Sequence, residues 1–131
     1  MINLNEGIAV DAAHSTKNRK TEFRGVDLAT GEVIFYQDLG NQTVNVGEFL
    51  AIVEAVKYII AHDFQPKVIF SDSVTAIRWF TDKRTASGKR NPKLMKAEVY
   101  LRAMAYWVDE IKVVKWDNRQ WGEIPADFQR K

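Results

Sequence analysis

The sequence has no cysteine and only two histidines, His14 and His62. Disulfides and thiolate metal sites are therefore excluded, and a histidine-rich zinc centre is out of reach. A chain without cysteine suits a reducing compartment, so a cytoplasmic location is expected. No apolar run approaches the ~18 residues of a membrane-spanning helix, so no membrane association is expected. The N-terminus lacks the basic-then-apolar pattern of a secretory signal. G-x-S-x-G, the P-loop and the dinucleotide-binding glycine pattern are also missing, which removes several common hydrolase and nucleotide-binding chemistries. With no repeat, linker or low-complexity tract, residues 1–131 are expected to form one domain, long enough to bury a core.

What is present is 46% hydrophobic and 27% charged residues, a balance that folds and does not stay disordered. The net charge of +2 implies no partner by itself, but its distribution does. Lys83, Arg84, Lys89, Arg90, Lys93 and Lys96 fall within a stretch of fourteen residues that contains no acid, leaving 13 basic residues against 17 acidic ones elsewhere. An acidic body with one basic patch fits an acidic metal site beside a phosphate-binding surface. A solvated loop would give the same composition.

Hydrophobic periodicity divides the chain into an α/β order, β-β-β-α-β-α-α-β-α. Ile8 to His14 reads as a buried strand, with Ile8, Val10 and Ala12 on one face and Ala9, Asp11 and Ala13 on the other. Thr21–Leu28 and Glu32–Leu39 follow as a hairpin about Ala29-Thr30-Gly31, completing an antiparallel meander. The clearest helix runs from about Val46 to His62, with Phe49, Ile52, Val53, Val56, Ile59 and Ile60 as its buried stripe. Asn45 is its expected N-cap and Glu48 its third residue, a capping-box arrangement. Lys67–Asp72 suits a buried parallel strand, and a helix from Val74 to about Asp82 follows it. A further helix is expected from about Lys93 to Val108, then a strand from Ile111 to Trp116. Pro125 is expected to open a short last helix.

Four acids stand where these elements do not ordinarily want them. Asp11 is in a buried strand between two methyl-sized neighbours, and an isolated buried carboxylate costs several kcal/mol unless paired or bound to a metal. Glu48 shares the inward stripe of the long helix. Asp72 lies past the carboxyl end of a parallel strand, where open α/β sheets bind ligands. Asp127 falls in the expected first turn of the last helix. Each also has a local explanation: a capping box for Glu48, an N-cap for Asp72, the helix dipole for Asp127. Brought together as anions, two such charges at 4 Å repel by about 4 kcal/mol at an effective dielectric near 20. Oxygen-only ligands favour hard ions, Mg²⁺ or Mn²⁺, and a pair of them forms the two-metal arrangement for phosphodiester cleavage.

The pattern resembles the ribonuclease H family, specifically the bacterial ribonuclease HI type. The resemblance rests on Val10-Asp11-Ala12-Ala13, Asn45-Val46-Gly47-Glu48-Phe49-Leu50-Ala51, Phe70-Ser71-Asp72-Ser73, and Val114-Lys115-Trp116 followed by Ile124-Pro125-Ala126-Asp127. It implies a mixed five-stranded sheet, three antiparallel strands then parallel ones, with helices on both faces. It also implies hydrolysis of the RNA strand of RNA–DNA hybrids, with two Mg²⁺ (Mn²⁺ as substitute) on Asp11, Glu48, Asp72 and Asp127. Lys83, Arg84, Lys89, Arg90 and Lys93 would contact the nucleic acid, and a monomer without an obligate protein partner is expected. Two departures stand out: Asp11-Ala12-Ala13 replaces the family's Asp-Gly-Ser, and Asp117 to Ala126 lacks the usual loop histidine, with Glu123 the only acid in that loop's second half. Of the four tryptophans, Trp107 and Trp116 read as core, and Trp121 stands beside the expected site. The rival readings are another nuclease of this fold acting on DNA and a non-catalytic nucleic-acid- or protein-binding module.

Overall fold

A computed structural model of the chain describes residues 3–86 and 91–128. The meander is present as β1 (Ile8–Ser15), β2 (Lys20–Asp27) and β3 (Val33–Asp38), paired antiparallel throughout. Gly31, at φ +77°, turns β2 into β3, and its N–H donates to the Asp27 carbonyl at 2.7 Å. Gly25 faces Phe35 across the ladder, and the Phe35 ring lies over it so closely that no Cβ would fit. The long helix α1 (Val44–His62) then crosses the sheet and leads into β4 (Val68–Ser71), parallel to β1. Helices α2 (Val74–Asp82), α3 (Pro92–Ala103) and α4 (Ala105–Val108) precede β5 (Lys112–Lys115), parallel to β4. The one-turn helix α5 (Asn118–Trp121) follows. The sheet order is β3-β2-β1-β4-β5, so the first strand is the central one.

Two apolar clusters hold the sheet from its two sides. Ile8, Val10, Ala12, Phe23 and Ile69 meet the stripe of α1 together with Trp79, Phe80, Leu94 and Leu101. On the opposite face Ala9, Val26 and Phe70 are covered by Trp116, Ile124 and Ala126. Helices do lie on both faces, but unequally, because among the described residues the second face carries only α5 and the turn after it. The alternation expected for β1 shows in its apolar residues: Ile8, Val10 and Ala12 join the cluster with α1, and Ala9 joins the second cluster.

The expected helix ends needed correction in three places. Thr43 caps α1, its hydroxyl accepting from the Val46 N–H, so Asn45 lies inside the helix and Glu48 is its fifth residue. The Lys93–Val108 helix is interrupted at Met104, whose ψ of +20° leaves the helical region. Pro125 opens no helix; it and Ala126 form a turn closed by the Asp127 N–H on the Ile124 carbonyl, and the helical turn comes earlier, capped by Asp117. Trp107, expected in the core, is half exposed against Tyr106, whereas Trp116 is buried. Among the described residues no helix is long and apolar enough to cross a membrane.

α1 sits close on β1 because of Gly47. A Cβ there would come within 2.7 Å of Thr21 Cγ2 and 3.0 Å of Ala12 Cβ. Overpacking of this kind costs about 1–3 kcal/mol. Gly47→Ala is therefore expected to lower stability by that amount in urea denaturation. Adding Thr21→Ser, which removes the nearer methyl and keeps the hydroxyl, should recover part of the loss. An unchanged urea midpoint for Gly47→Ala would contradict this packing.

Candidate active site

The site begins where β4 stops. β1 has β4 beside it only at Ile8 and Ala9, since β4 ends at Ser71. Beyond that point the β1 edge is open, and a buried backbone donor there needs a partner. Glu48 supplies it: the Ala12 N–H donates to Glu48 Oε1 at 2.8 Å. Gly47 allows this approach, since the helix backbone next to Glu48 lies against Ala12 itself. The alanine that replaces the family's glycine is accommodated because the residue facing it has no side chain.

Asp11 is fully buried and Glu48 is 5% exposed. Asp72, half-buried, follows directly on β4 at the same gap. One carboxylate oxygen from each of Asp11, Glu48 and Asp72 lies within 4.8 Å of the others. The local explanations for two of these acids fall away. Thr43 does the capping that would have occupied Glu48, and Ser73 Oγ, accepting from the Ala76 N–H at 3.1 Å, caps α2 in place of Asp72. Asn118 Nδ2 stands 3.5 Å from Asp72 Oδ2, at the outer limit of a hydrogen bond.

Burial pushes the Glu48 carboxyl up to about 9, with the negative charge of Asp11 and then of Asp72 adding to the effect. The Ala12 N–H opposes the shift. Without a cation, burial and the neighbouring charges therefore favour retention of a proton at Glu48 and its partner Asp11. Its Oε2 is buried with no hydrogen-bond partner among the described residues. An all-oxygen donor set with one buried oxygen left over, made of acids that repel one another, fits a hard divalent cation.

Asp127 is also buried, at 9% exposure, but stands outside that group of three. It belongs to the turn after Ile124, whose carbonyl accepts from its N–H at 2.9 Å. Ile124 and Ala126 plug the second apolar cluster. Arg24, the cross-strand partner of Asp11, reaches over to the same turn. Its Nε–H donates to the Ala126 carbonyl at 2.8 Å and its Nη2 to the Asp127 carbonyl at 2.5 Å. Sequence reading missed Arg24. A mid-strand arginine was the available signal, but only the register places it opposite Asp11.

The basic residues divide. Lys83 is the C-cap of α2, nine residues along from the Asp72 end and thus about 13 Å away at 1.5 Å per residue. It is engaged in an ion pair with Asp109 at 2.9 Å. Arg84 is exposed beside it. Lys93 is exposed at the start of α3, whose cap Asn91 donates to Gln42 Oε1 at 2.9 Å and so joins the entry of α1. Lys89 and Arg90 lie outside the described residues. His14, Asn41, Gln42, Thr43 and Asn91, together with Val44 and Val46, line a recess of mixed polarity at that junction. Glu123 is exposed, and Trp121 packs edge-on against Trp116 with centroids 5.2 Å apart.

No protein-family profile matches the chain. Among solved structures it is similar to the LC11 ribonuclease H1 isolated from compost by a metagenomic approach. That match has 16% identity and a TM-score of 0.58, over 86% of this chain and 84% of that one. The same enzyme in complex with an RNA/DNA hybrid matches at 15% identity and TM-score 0.53, covering 86% of each. The N-terminal ribonuclease H domain of a Mycobacterium tuberculosis protein matches at 14% and 0.51, over 84% and 79%. The chain thus has the ribonuclease H fold, with its mixed sheet and strand order, at identities that speak for the fold alone. Within that fold it brings three acids of the expected four into one group.

The raised Glu48 carboxyl has a consequence for the metal-free protein. Between pH 4.5, its ordinary value, and about 9, the unfolded chain has lost this proton while the folded chain keeps it. Metal-free stability therefore falls as pH rises through that window. Glu48→Gln removes the dependence while leaving an acceptor for the Ala12 N–H. In thermal melts with EDTA it should match wild type near pH 5 and exceed it by roughly 1–3 kcal/mol at pH 8. Equal stabilities at pH 8 would show that Glu48 is not held protonated.

Proposed function

We propose that the protein is a divalent-cation-dependent nuclease that hydrolyses the RNA strand of RNA–DNA hybrids. The observation that carries this reading is the group formed by Asp11, Glu48 and Asp72, three acids from three elements with oxygens within 4.8 Å. It lies in the fold of proteins such as the LC11 enzyme, which has been captured with an RNA/DNA hybrid. Burying Asp11 and Glu48 beside a third acid costs stability, and helix capping accounts for neither Glu48 nor Asp72.

Asp11, Glu48 and Asp72 would hold the cations, Mg²⁺ or Mn²⁺, with Asp127 the further carboxylate for a second ion. When bound, such ions supply an activated water and stabilise the leaving oxygen of a phosphodiester. The chain's own contribution is positioning. The Ala12 N–H fixes the Glu48 carboxylate by a bond that survives deprotonation, and burial of Asp11 keeps its carboxylate from being solvated away from the site. Glu48 must release its proton before it can serve as a ligand, so cation affinity rises with pH toward about 9.

For the substrate, Lys93 and the recess at the entry of α1 offer a cation, amides and a hydroxyl to backbone phosphate, with Lys89 and Arg90 preceding them in the chain. Such contacts read shape and charge, not base identity, and the 2′-hydroxyl distinguishes the strand to be cut. Lys83, at the far end of α2, has Asp109 beside it as a competing anion.

The test is cleavage of a labelled hybrid beside matched RNA and DNA duplexes. Hybrid-specific cleavage is expected with Mg²⁺ or Mn²⁺, abolished by EDTA and reduced by about 10²-fold or more in Asp11→Asn. Cleavage of the DNA duplex instead would identify a different nuclease of this fold. Folded protein that cuts nothing with either ion would point to a binding module.

A further inference from the structure

We infer that Arg24 is a positioning residue for Asp127, acting as the clamp that fixes the last acid beside the other three. The inference rests on the nuclease reading above. Among the described residues Asp127 lies outside any helix or strand, and the Ile124 and Ala126 plug and the guanidinium are among the contacts that hold its segment. Two successive carbonyls, those of Ala126 and Asp127, both accept from Arg24. The fork of a guanidinium meets such a pair in one plane, which a lysine ammonium cannot do. The Phe128 ring closes over the guanidinium, 4.8 Å from Cζ to its centroid. Phe128 in turn stands edge-on to Tyr36, whose hydroxyl donates to the buried Glu22.

The register gives this clamp its place. Arg24 is paired with Asp11 in the β1–β2 ladder, so both side chains leave the same face of the sheet from adjacent strands. The arm that grips the Asp127 backbone therefore starts next to the central acid. A clamp fixed to any other row would set the turn at another distance from Asp11. The same guanidinium also brings a fixed positive charge to an acidic site, and its two carbonyl contacts fix the backbone that carries Asp127.

The experiment compares Arg24→Ala, Arg24→Lys, Asp127→Asn and the Arg24→Ala/Asp127→Asn double variant. Amide exchange at residues 126–128, followed by NMR, reads the clamp without any activity. Arg24→Ala should speed that exchange about 10- to 100-fold while amides of β1 stay protected. In hybrid cleavage Arg24→Ala should lower kcat about 10- to 100-fold with little change in KM. The double variant should be no worse than Asp127→Asn alone, because both changes disable one unit. Arg24→Lys, which keeps the charge and most of the aliphatic stem, should remain defective in both readouts. Full rescue by lysine, or unchanged exchange at 126–128 in Arg24→Ala, overturns the clamp. So does an additive double variant. Asp127→Asn with wild-type cleavage overturns the role given to Asp127 and the inference with it; Asp127→Asn impaired beside a normal Arg24→Ala overturns the inference alone.

Discussion

The hydrogen bond from the Ala12 N–H to Glu48 joins helix, sheet edge and acid cluster in one contact. It exists only because β4 is short, ending at Ser71 and leaving that donor unclaimed. It requires Gly47, since a side chain there would push α1 away from Thr21 and Ala12. It also fixes where Glu48 can be, and so how near its carboxyl stands to Asp11 and Asp72. A longer β4 would have satisfied Ala12 by ordinary pairing and filled the gap in which the acids meet. The candidate centre is thus a consequence of where one strand stops.

Burial makes this arrangement expensive for the protein without a cation. Burying Asp11 and Glu48 beside a third acid is costly, and the raised Glu48 carboxyl expresses that cost. Elsewhere the molecule is ordinary, with two apolar clusters and a few exposed ion pairs worth little each. The strain is local, and it is concentrated on residues contributed by different elements.

Much of this was legible from the residues. An acid among Ile8, Ala9, Val10 and Ala12 has no explanation in a strand, and the stripe of α1 carries Glu48 inward by periodicity alone. The meander, the crossover and the parallel strands followed from patterns several residues long. What misled were signals one residue deep. Asn45 and Thr43 are both good caps, and the choice between them is made by where the loop from Leu39 meets Thr21. Pro125 suits a helix start as well as a turn, and four residues are too few for periodicity to decide. Trp107 has apolar neighbours in sequence but lies on α4 after the break at Met104, which turns it toward solvent. Arg24 was out of reach because its meaning lies in register, and the irregular link between β1 and β2 does not announce one.

The first strand of the chain is the central strand of the sheet, and the last acid in sequence is tied to the row beside it. During synthesis the ribosome therefore releases Asp11, Glu48 and Asp72 long before Asp127, and a nascent chain holds the first three with no closing turn. Domains complete themselves at the pace of translation, N-terminal parts first. The acids therefore meet in sequence order, and the turn that carries Asp127 can reach Arg24 only after it has itself left the tunnel.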